Sequence, residues 1–187
     1  MVSPQRRGTV IRPKTGEPTL ITPAYVQLMA RYNTWQNRSI YAAAGGLSDV
    51  ERRRERGAFF GSIHATLSHL VFGDQIWMHR FAGTPAPRVK SIAESTTAFE
   101  HFDDMAAERV ALDRVIETWA IELQANALGG DLTWFSGAMQ CDVTRPRWAL
   151  VAHMFNHQTH HRGQVHAMLT AAGAEPEATD IPFMPGP

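Results

Sequence analysis

Four stretches of this 187-residue chain repeat apolar residues every three or four positions, and each is bounded by residues that begin or end helices. This spacing places the apolar side chains on one face of an α-helix, and such a helix is stable when that face packs against other helices. The pattern therefore predicts an all-α fold, a four-helix bundle.

The first two predicted helices have clear boundaries. Thr22 followed by Pro23 is a good N-cap and first-turn pair, and the apolar pattern behind it ends at a pair of glycines. Ser48 and Glu51 form a capping box ahead of a charged turn and the second helix, which ends at Gly83. The second helix is the longest well-patterned segment of the chain.

The last two predicted helices follow the same rules. Thr97 and Glu100 form a capping box ahead of the third helix, which is expected to run to about Asn126. Pro146 opens the fourth helix, and Gly173 ends it.

The remaining segments lack a helical period. Residues 127–146 hold three glycines and predict a short hairpin or an ordered loop. We expect an N-terminal arm at 1–20, one bundle domain at 21–175 and an irregular Pro-rich tail at 176–187. The length suits a single domain.

Composition excludes several classes of protein. Lys+Arg (18) balances Asp+Glu (18), so the chain lacks the excess positive charge that usually drives binding to nucleic acid or anionic membranes. No apolar run is long enough to span a membrane or to act as a signal peptide, which predicts a cytoplasmic protein. The single cysteine, Cys141, excludes thiolate-rich metal sites, so nitrogen and oxygen ligands must hold any metal.

The fourth predicted helix carries five histidines on different faces. At about 100° per residue, His157 and His161 face the core, whereas His166 falls on the far side. Their i, i+4 spacing sets the Cβ atoms about 5–6 Å apart, so both imidazoles can approach one ion at about 2.1 Å. His153 and His160 are expected to be structural or to support the ligands.

The second helix supplies a third candidate. His69 lies among small residues, which leaves volume for an ion and a substrate, whereas His64 and His79 fall in the polar arc of the helix. We therefore expect His64, His79 and His166 to stay outside any metal site. The competing interpretation is that the inward histidines are core residues that bond to the backbone.

Three sequence motifs together resemble those of a known superfamily. They are Tyr32-Asn33-x-Trp35-x-Asn37 on the first helix, Leu67-Ser-His69-Leu-x-x-x-Asp74-x-x-Trp77-x-x-Arg80-x-x-Gly83 on the second, and Asn156-His157-x-x-His160-His161-Arg162-Gly163-Gln164 on the fourth. From about Tyr25 to Gly173, the chain resembles the DinB/YfiT-like superfamily.

This resemblance implies an up-down-down-up four-helix bundle, often a homodimer, that binds a divalent metal. One ligand comes from the second helix and two from the fourth, which are His69, His157 and His161 here. Some relatives have glutamate at the first fourth-helix position. The mycothiol-dependent and bacillithiol-dependent transferases and isomerases of the superfamily use such sites to bind a thiol cofactor.

Three neutral imidazoles leave at least one coordination position open, as in catalytic metal sites. Affinity order favours zinc or nickel, and iron and manganese remain compatible with this ligand set. The first hypothesis is a metal-dependent transferase or isomerase that uses a low-molecular-weight thiol on a small-molecule substrate. The alternatives are a metal-dependent hydrolase and a non-catalytic metal or ligand-binding protein of stress response. No residue is assigned a catalytic role.

Three further residues have two interpretations each. Asp74 either supports a metal ligand or accepts a hydrogen bond from Tyr32 or Trp35 on the first helix. Gln164 either bonds a ligand imidazole or substrate, or is a packing amide. Cys141, in the loop before the fourth helix, is either a redox thiol or ligand near the site or an incidental residue, and it is left out of the site.

Overall fold

The computed structural model describes residues 19–137 and 139–186. All but the last two residues of the predicted N-terminal arm, 1–20, lie outside the described residues. The helices in chain order are α1 (Pro23–Gly45), α2 (Asp49–Arg53), α3 (Ile63–Ala82), α4 (Ile92–Ser95), α5 (Phe102–Glu122) and α6 (Arg147–Ala171). A hairpin of β1 (Asp131–Ser136) and β2 (Cys141–Pro146) and 3-10 turns at Ala125–Leu128 and Ile181–Phe183 complete the chain.

The four long helices pack around one apolar core. Helices α1 and α3 each contact both α5 and α6. The core contains side chains from all four, among them Val26, Leu67, Ile116 and Leu169. The predicted all-α fold is confirmed, and the up-down-down-up order of the bundle stays a prediction. Among the described residues, no helix combines the length and apolarity that crossing a membrane requires.

The second long helix begins later than its apolar pattern suggested. The Ser48 hydroxyl does accept the Glu51 N–H, but the helix that it caps is the five-residue α2. Gly57 and Gly61 then adopt positive φ, a conformation that other residues reach at a cost, and they reverse the chain before α3. Ser62 is the actual N-cap of α3. Phe60 therefore lies in a turn instead of in the helix.

The predicted capping box of the third long helix was wrong. Thr97 donates its hydroxyl to the Glu94 carbonyl, and α5 begins at Phe102 with no side-chain cap. Asp103 and Asp104 in the first turn offset the missing cap, because carboxylates stabilise the positive end of a helix. The helix ends at Glu122, before the predicted boundary near Asn126.

The segment 127–146 forms the predicted hairpin. Its strands pair antiparallel, with Trp134 opposite Val143 and Leu132 opposite Arg145. Leu132 and Val143 are buried, so one face of the hairpin packs on the helices. The hairpin leads directly into α6 and sets the Trp134 ring against Trp77 of α3.

The C-terminal segment lies across α1. The Tyr32 hydroxyl donates to the Thr179 carbonyl at 2.8 Å, and the Gln36 amide donates to the Ala178 carbonyl at 2.9 Å. The Glu177 N–H donates to the Ser39 hydroxyl at 2.8 Å. The division into a bundle at 21–175 and a tail at 176–187 stays a prediction.

Candidate metal centre

Helices α3 and α6 bring three histidines together. One nitrogen each of His69, His157 and His161 lies within 4.8 Å of the others. The Nε2 atoms of His69 and His157 are 3.1 Å apart. Nitrogens that share a tetrahedral ion at about 2.1 Å are separated by about 3.4 Å, so the spacing is close to that of a coordinated set.

A glycine makes room for the central imidazole. A Cβ added at Gly73 of α3 would lie 3.2 Å from Cε1 and 3.5 Å from Nδ1 of His157. The close approach of the ring to the α3 backbone therefore depends on the absence of a side chain at this position. This close approach lets the Nε2 of His157 reach the Nε2 of His69.

The hydroxyl of Ser95 fixes the tautomer of His69. Ser95 lies in the four-residue helix α4 and donates its only proton to the Ile92 carbonyl at 2.6 Å. It must therefore accept from the Nδ1–H of His69, 2.8 Å away. With the proton on Nδ1, the Nε2 lone pair of His69 is free for a metal ion.

Gln164 orients His161 in the same way. The Gln164 carbonyl oxygen lies 2.7 Å from Nδ1 of His161, and this oxygen can only accept. Nδ1 therefore carries the proton and Nε2 is left as a lone pair. Of the two interpretations of Gln164, the structure supports the hydrogen bond to an imidazole of the group.

Phe60 covers the group from the turn before α3. Its ring centroid lies 4.1 Å from that of His69 and 5.2 Å from that of His161. An apolar ring in this position limits the access of water to the imidazoles. Phe59 beside it is exposed.

Burial keeps the three imidazoles neutral. Burial, together with the smaller effect of the neighbouring His161, lowers the pKa of His69 to about 4. Burial and the neighbouring histidines lower the pKa of His157 to about 3. The pKa of His161 is also lowered by burial, against which the Gln164 hydrogen bond acts. Neutral imidazoles are the form that binds metal.

The prediction that three other histidines stay outside a metal site remains a prediction, although the structure places them apart from this group. None of His64, His79 and His166 belongs to the clustered group among the described residues. His64 is nevertheless buried, and its Nε2 lies 2.8 Å from the Phe99 carbonyl, so the polar arc of α3 is covered at this end. Helical phase did not show that the segment before α5 folds over this side of α3.

The interpretations of Asp74 also need correction. Its carboxylate accepts no hydrogen bond from Tyr32 or Trp35, and the Tyr32 hydroxyl donates to the Thr179 carbonyl instead. Arg109 Nη1 donates to it at 2.8 Å, and the Gln158 amide donates to its other oxygen. The aspartate thus belongs to a charge network and makes no hydrogen bond to the three histidines.

Sequence reasoning missed Ser95 and Phe60. A capping box at Ser91 and Glu94 marks α4, since the Ser91 hydroxyl accepts the Glu94 N–H, and this signal could have located Ser95. Phe60 was counted in the apolar stripe of the second helix. Cys141 is exposed at the start of β2 and is not in the clustered group.

Comparison with known proteins agrees with this architecture. The chain is 29% identical over 153 residues to Protein DinB of Bacillus subtilis (strain 168), which covers 80% of this chain and 87% of that protein. The model of the DinB family matches residues 20–186, a range that contains all four long helices and the three clustered histidines. The chain therefore belongs to the DinB family.

Proposed function

We propose that the protein binds a divalent metal ion through His69, His157 and His161 and uses it to act on a small molecule. The observation that carries this proposal is the convergence of three neutral imidazole nitrogens within 4.8 Å of one another, on two facing helices. Membership of the DinB family is compatible with metal binding.

The donor set fits such an ion. The hydrogen bonds from His69 to Ser95 and from His161 to Gln164 hold the proton on Nδ1, so the Nε2 lone pairs of both imidazoles are free to bind an ion. Metal-bound histidines are usually oriented by a partner on the other ring nitrogen. The group contains three nitrogen donors and no carboxylate or thiolate. Three neutral ligands and an open position favour zinc or nickel in a site that accepts an exogenous ligand.

The reaction that we favour is transfer or isomerisation that uses a low-molecular-weight thiol. A bound divalent ion would lower the pKa of a thiol or water at its open position. The chain itself holds the imidazoles in place through Ser95 and Gln164 and limits water access through Phe60. This apolar cover favours a thiol ligand over hydroxide chemistry, because it keeps competing water away.

Elemental analysis of protein prepared without a histidine tag or chelator tests the metal. We expect about one ion per chain in the wild type and in His166→Ala, and almost none in His157→Ala. His166 is a matched control, because it lies on the same helix outside the group. A wild type that remains metal-free after incubation with zinc and nickel would remove the proposal, and so would loss of metal from His166→Ala.

Thermal unfolding separates a functional ion from a structural one. His157→Ala and chelator-treated wild type should both unfold cooperatively at a modestly lower midpoint, because the apolar core shared by the four long helices does not depend on one ion. A structural ion would instead carry most of the folding free energy. Loss of the cooperative transition in His157→Ala would therefore show that the ion is structural.

A further inference from the structure

Aromatic side chains continue from the histidine group along α3 and α6. The ring centroid of His153 lies 5.8 Å from that of His157 and 5.3 Å from that of Trp77. Trp77 in turn meets Trp134 of the hairpin edge-on, at 5.7 Å. The three clustered histidines are thus joined by contacting rings to the surface between α3 and β1.

A stacked arginine stands at the end of this row. The Arg80 guanidinium carbon lies 4.6 Å from the ring centroid of Trp77 and 5.4 Å from that of Trp134. Its side chain is half-buried, and burial lowers its pKa. Among the described residues, Arg80 forms no ion pair, and none of them accepts a hydrogen bond from its guanidinium.

This arrangement is suited to binding an anion. Stacking on indole rings fixes the plane of a guanidinium while its N–H donors stay free at the edge. Such a fork matches the oxygens of a carboxylate or a phosphate. A partly desolvated cation without a carboxylate partner gains more from an anion than a fully solvated one. The other arginines of the interior, Arg109 and Arg162, already have buried hydrogen-bond partners.

The distance to the histidine group sets the size of the ligand. Arg80 follows His69 by eleven residues on α3, which is about 16 Å along the helix axis. Helical side chains lean toward the N-terminus, so the guanidinium lies over Trp77 and closer to the histidines, roughly 10–15 Å away. One extended small molecule can span this interval.

We propose that Arg80, held on Trp77 and Trp134, binds the anionic end of a ligand whose other end reaches the three histidines. The ligand class is a small molecule with a thiol at one end and a carboxylate or phosphate at the other. The thiol end rests on the proposed function, whereas the anion subsite does not require the metal. Arg80 then determines specificity and takes no part in the chemical step.

The test uses cobalt-loaded protein and ω-mercaptoalkanoates of graded length, with ω-mercaptoalkanols as neutral counterparts. The absorption band that appears when a thiolate binds cobalt measures the binding of the alkanoates and of the alkanols alike. We expect the best-fitting alkanoate to bind about tenfold more tightly than its alkanol in the wild type, the gain of one charge-assisted hydrogen bond. The preference should disappear in Arg80→Gln and remain in Arg114→Gln, an exposed arginine of α5. The same measurement with ω-mercaptoalkylphosphonates shows whether the subsite prefers a carboxylate or a phosphate.

Two measurements keep this test separate from the proposed function. Arg80→Gln should retain the metal content of the wild type and unfold in one cooperative transition, which shows that the fold and the histidines are intact. In chelator-treated protein, an alkanoate should shift tryptophan emission in the wild type and leave Arg80→Gln unchanged, since Arg80 contacts two indoles. Equal binding of alkanoate and alkanol by the wild type, or a preference that survives in Arg80→Gln, would overturn the inference even where metal binding holds.

Discussion

Two clusters of polar side chains lie in the interior between the helices, and they differ in whether their polar groups are paired with one another. One is the histidine cluster, His69, His157 and His161. The other is the charge cluster, formed by Asp74, Arg109, Asp113, Arg162, Asn33 and Asn37. Both involve α3 and α6, and both take polar groups out of water at a cost.

The charge cluster pairs its ions with one another. Arg109 lies between two carboxylates, with Nη1 at 2.8 Å from Asp74 and Nη2 at 2.9 Å from Asp113. Burial acts to lower the pKa of Arg109, but the two carboxylates outweigh it and raise the pKa above its ordinary value. Asn37 donates to Asp113 at 2.8 Å, and Arg162 donates to Asn33. Two arginines thus balance two aspartates.

The histidine cluster has no such balance. Its three rings are uncharged, and their partners Ser95 and Gln164 use only the Nδ1 atoms of His69 and His161. With Nδ1 protonated, the Nε2 atoms of His69 and His161 are hydrogen-bond acceptors, and that of His69 lies 3.1 Å from Nε2 of His157. The difference indicates that the charge cluster joins the helices, whereas the histidine cluster leaves unprotonated nitrogens that the proposed metal ion would use.

The largest effect should come from Arg109. Replacement by methionine leaves two buried carboxylates without their ion-pair partner, and breaking a buried ion pair in this way costs about 3–5 kcal/mol. Urea unfolding measures the loss. Arg114→Met on the exposed side of the same helix should stay within about 0.5 kcal/mol of the wild type. A similarly small change in Arg109→Met would show that the charge cluster does not hold the helices together.

Acid should destabilise the metal-free protein through the histidine cluster. Below pH 6.5 the histidines of the unfolded chain bind protons, whereas His69 stays neutral in the fold until its pKa of about 4. The unfolded state then binds more protons, so stability falls as pH falls, by about 1.4 kcal/mol per pH unit for each such histidine.

Chelator-treated wild type and His69→Gln should be compared by urea unfolding between pH 6.5 and 4.5. The variant should lose less stability across this window, because one buried neutral group is absent, while the carboxylates contribute equally to both proteins. Parallel pH profiles would mean that His69 is protonated as easily in the fold as in the unfolded chain.

Helical phase predicted which histidines of α3 and α6 face inward, because the phase of a side chain depends only on its position within one helix. His157 and His161 share a face of α6, and His69 was placed inward by its small neighbours, without knowledge of which helices meet. Phase did not predict contacts made by other segments. Burial of His64 depends on the Phe99 carbonyl, and the partners of Asp74 come from α5 and α6.

The boundaries that were missed share one physical cause. Phe60 fits the apolar period of α3, but two glycines with positive φ turn the chain before the helix begins. Thr97 and Glu100 have capping spacing, although α5 begins elsewhere without a side-chain cap. In both places the fold follows tertiary packing and turn conformation, which a local pattern does not contain.

Ser95→Ala should weaken metal binding about 10-fold to 100-fold, the usual effect of removing a partner of a metal-bound histidine. The His69 Nδ1–H would then be buried without an acceptor, since Ser95 is fully buried and its hydroxyl accepts the hydrogen bond from Nδ1. Competition with a chelating dye measures the affinity. Ser91→Ala, which removes only the cap of α4, controls for loss of that helix. Equal weakening in both variants would assign the effect to α4 and not to the hydrogen bond.

Gln164→Ala should have the smallest effect on metal affinity, less than about tenfold. Gln164 supports His161 as Ser95 supports His69, but it is half-exposed, so water can replace its carbonyl oxygen at His161 Nδ1. A buried donor that loses its partner bears the full desolvation cost, whereas a donor that reaches water does not. The same dye competition on Ser95→Ala, Gln164→Ala and the double variant tests this reasoning. We expect the Ser95 effect to exceed the Gln164 effect and the two to add, because they act on different imidazoles. A larger loss in Gln164→Ala would mean that the amide also contacts the bound ligand, since its hydrogen bond to His161 alone does not account for such a loss.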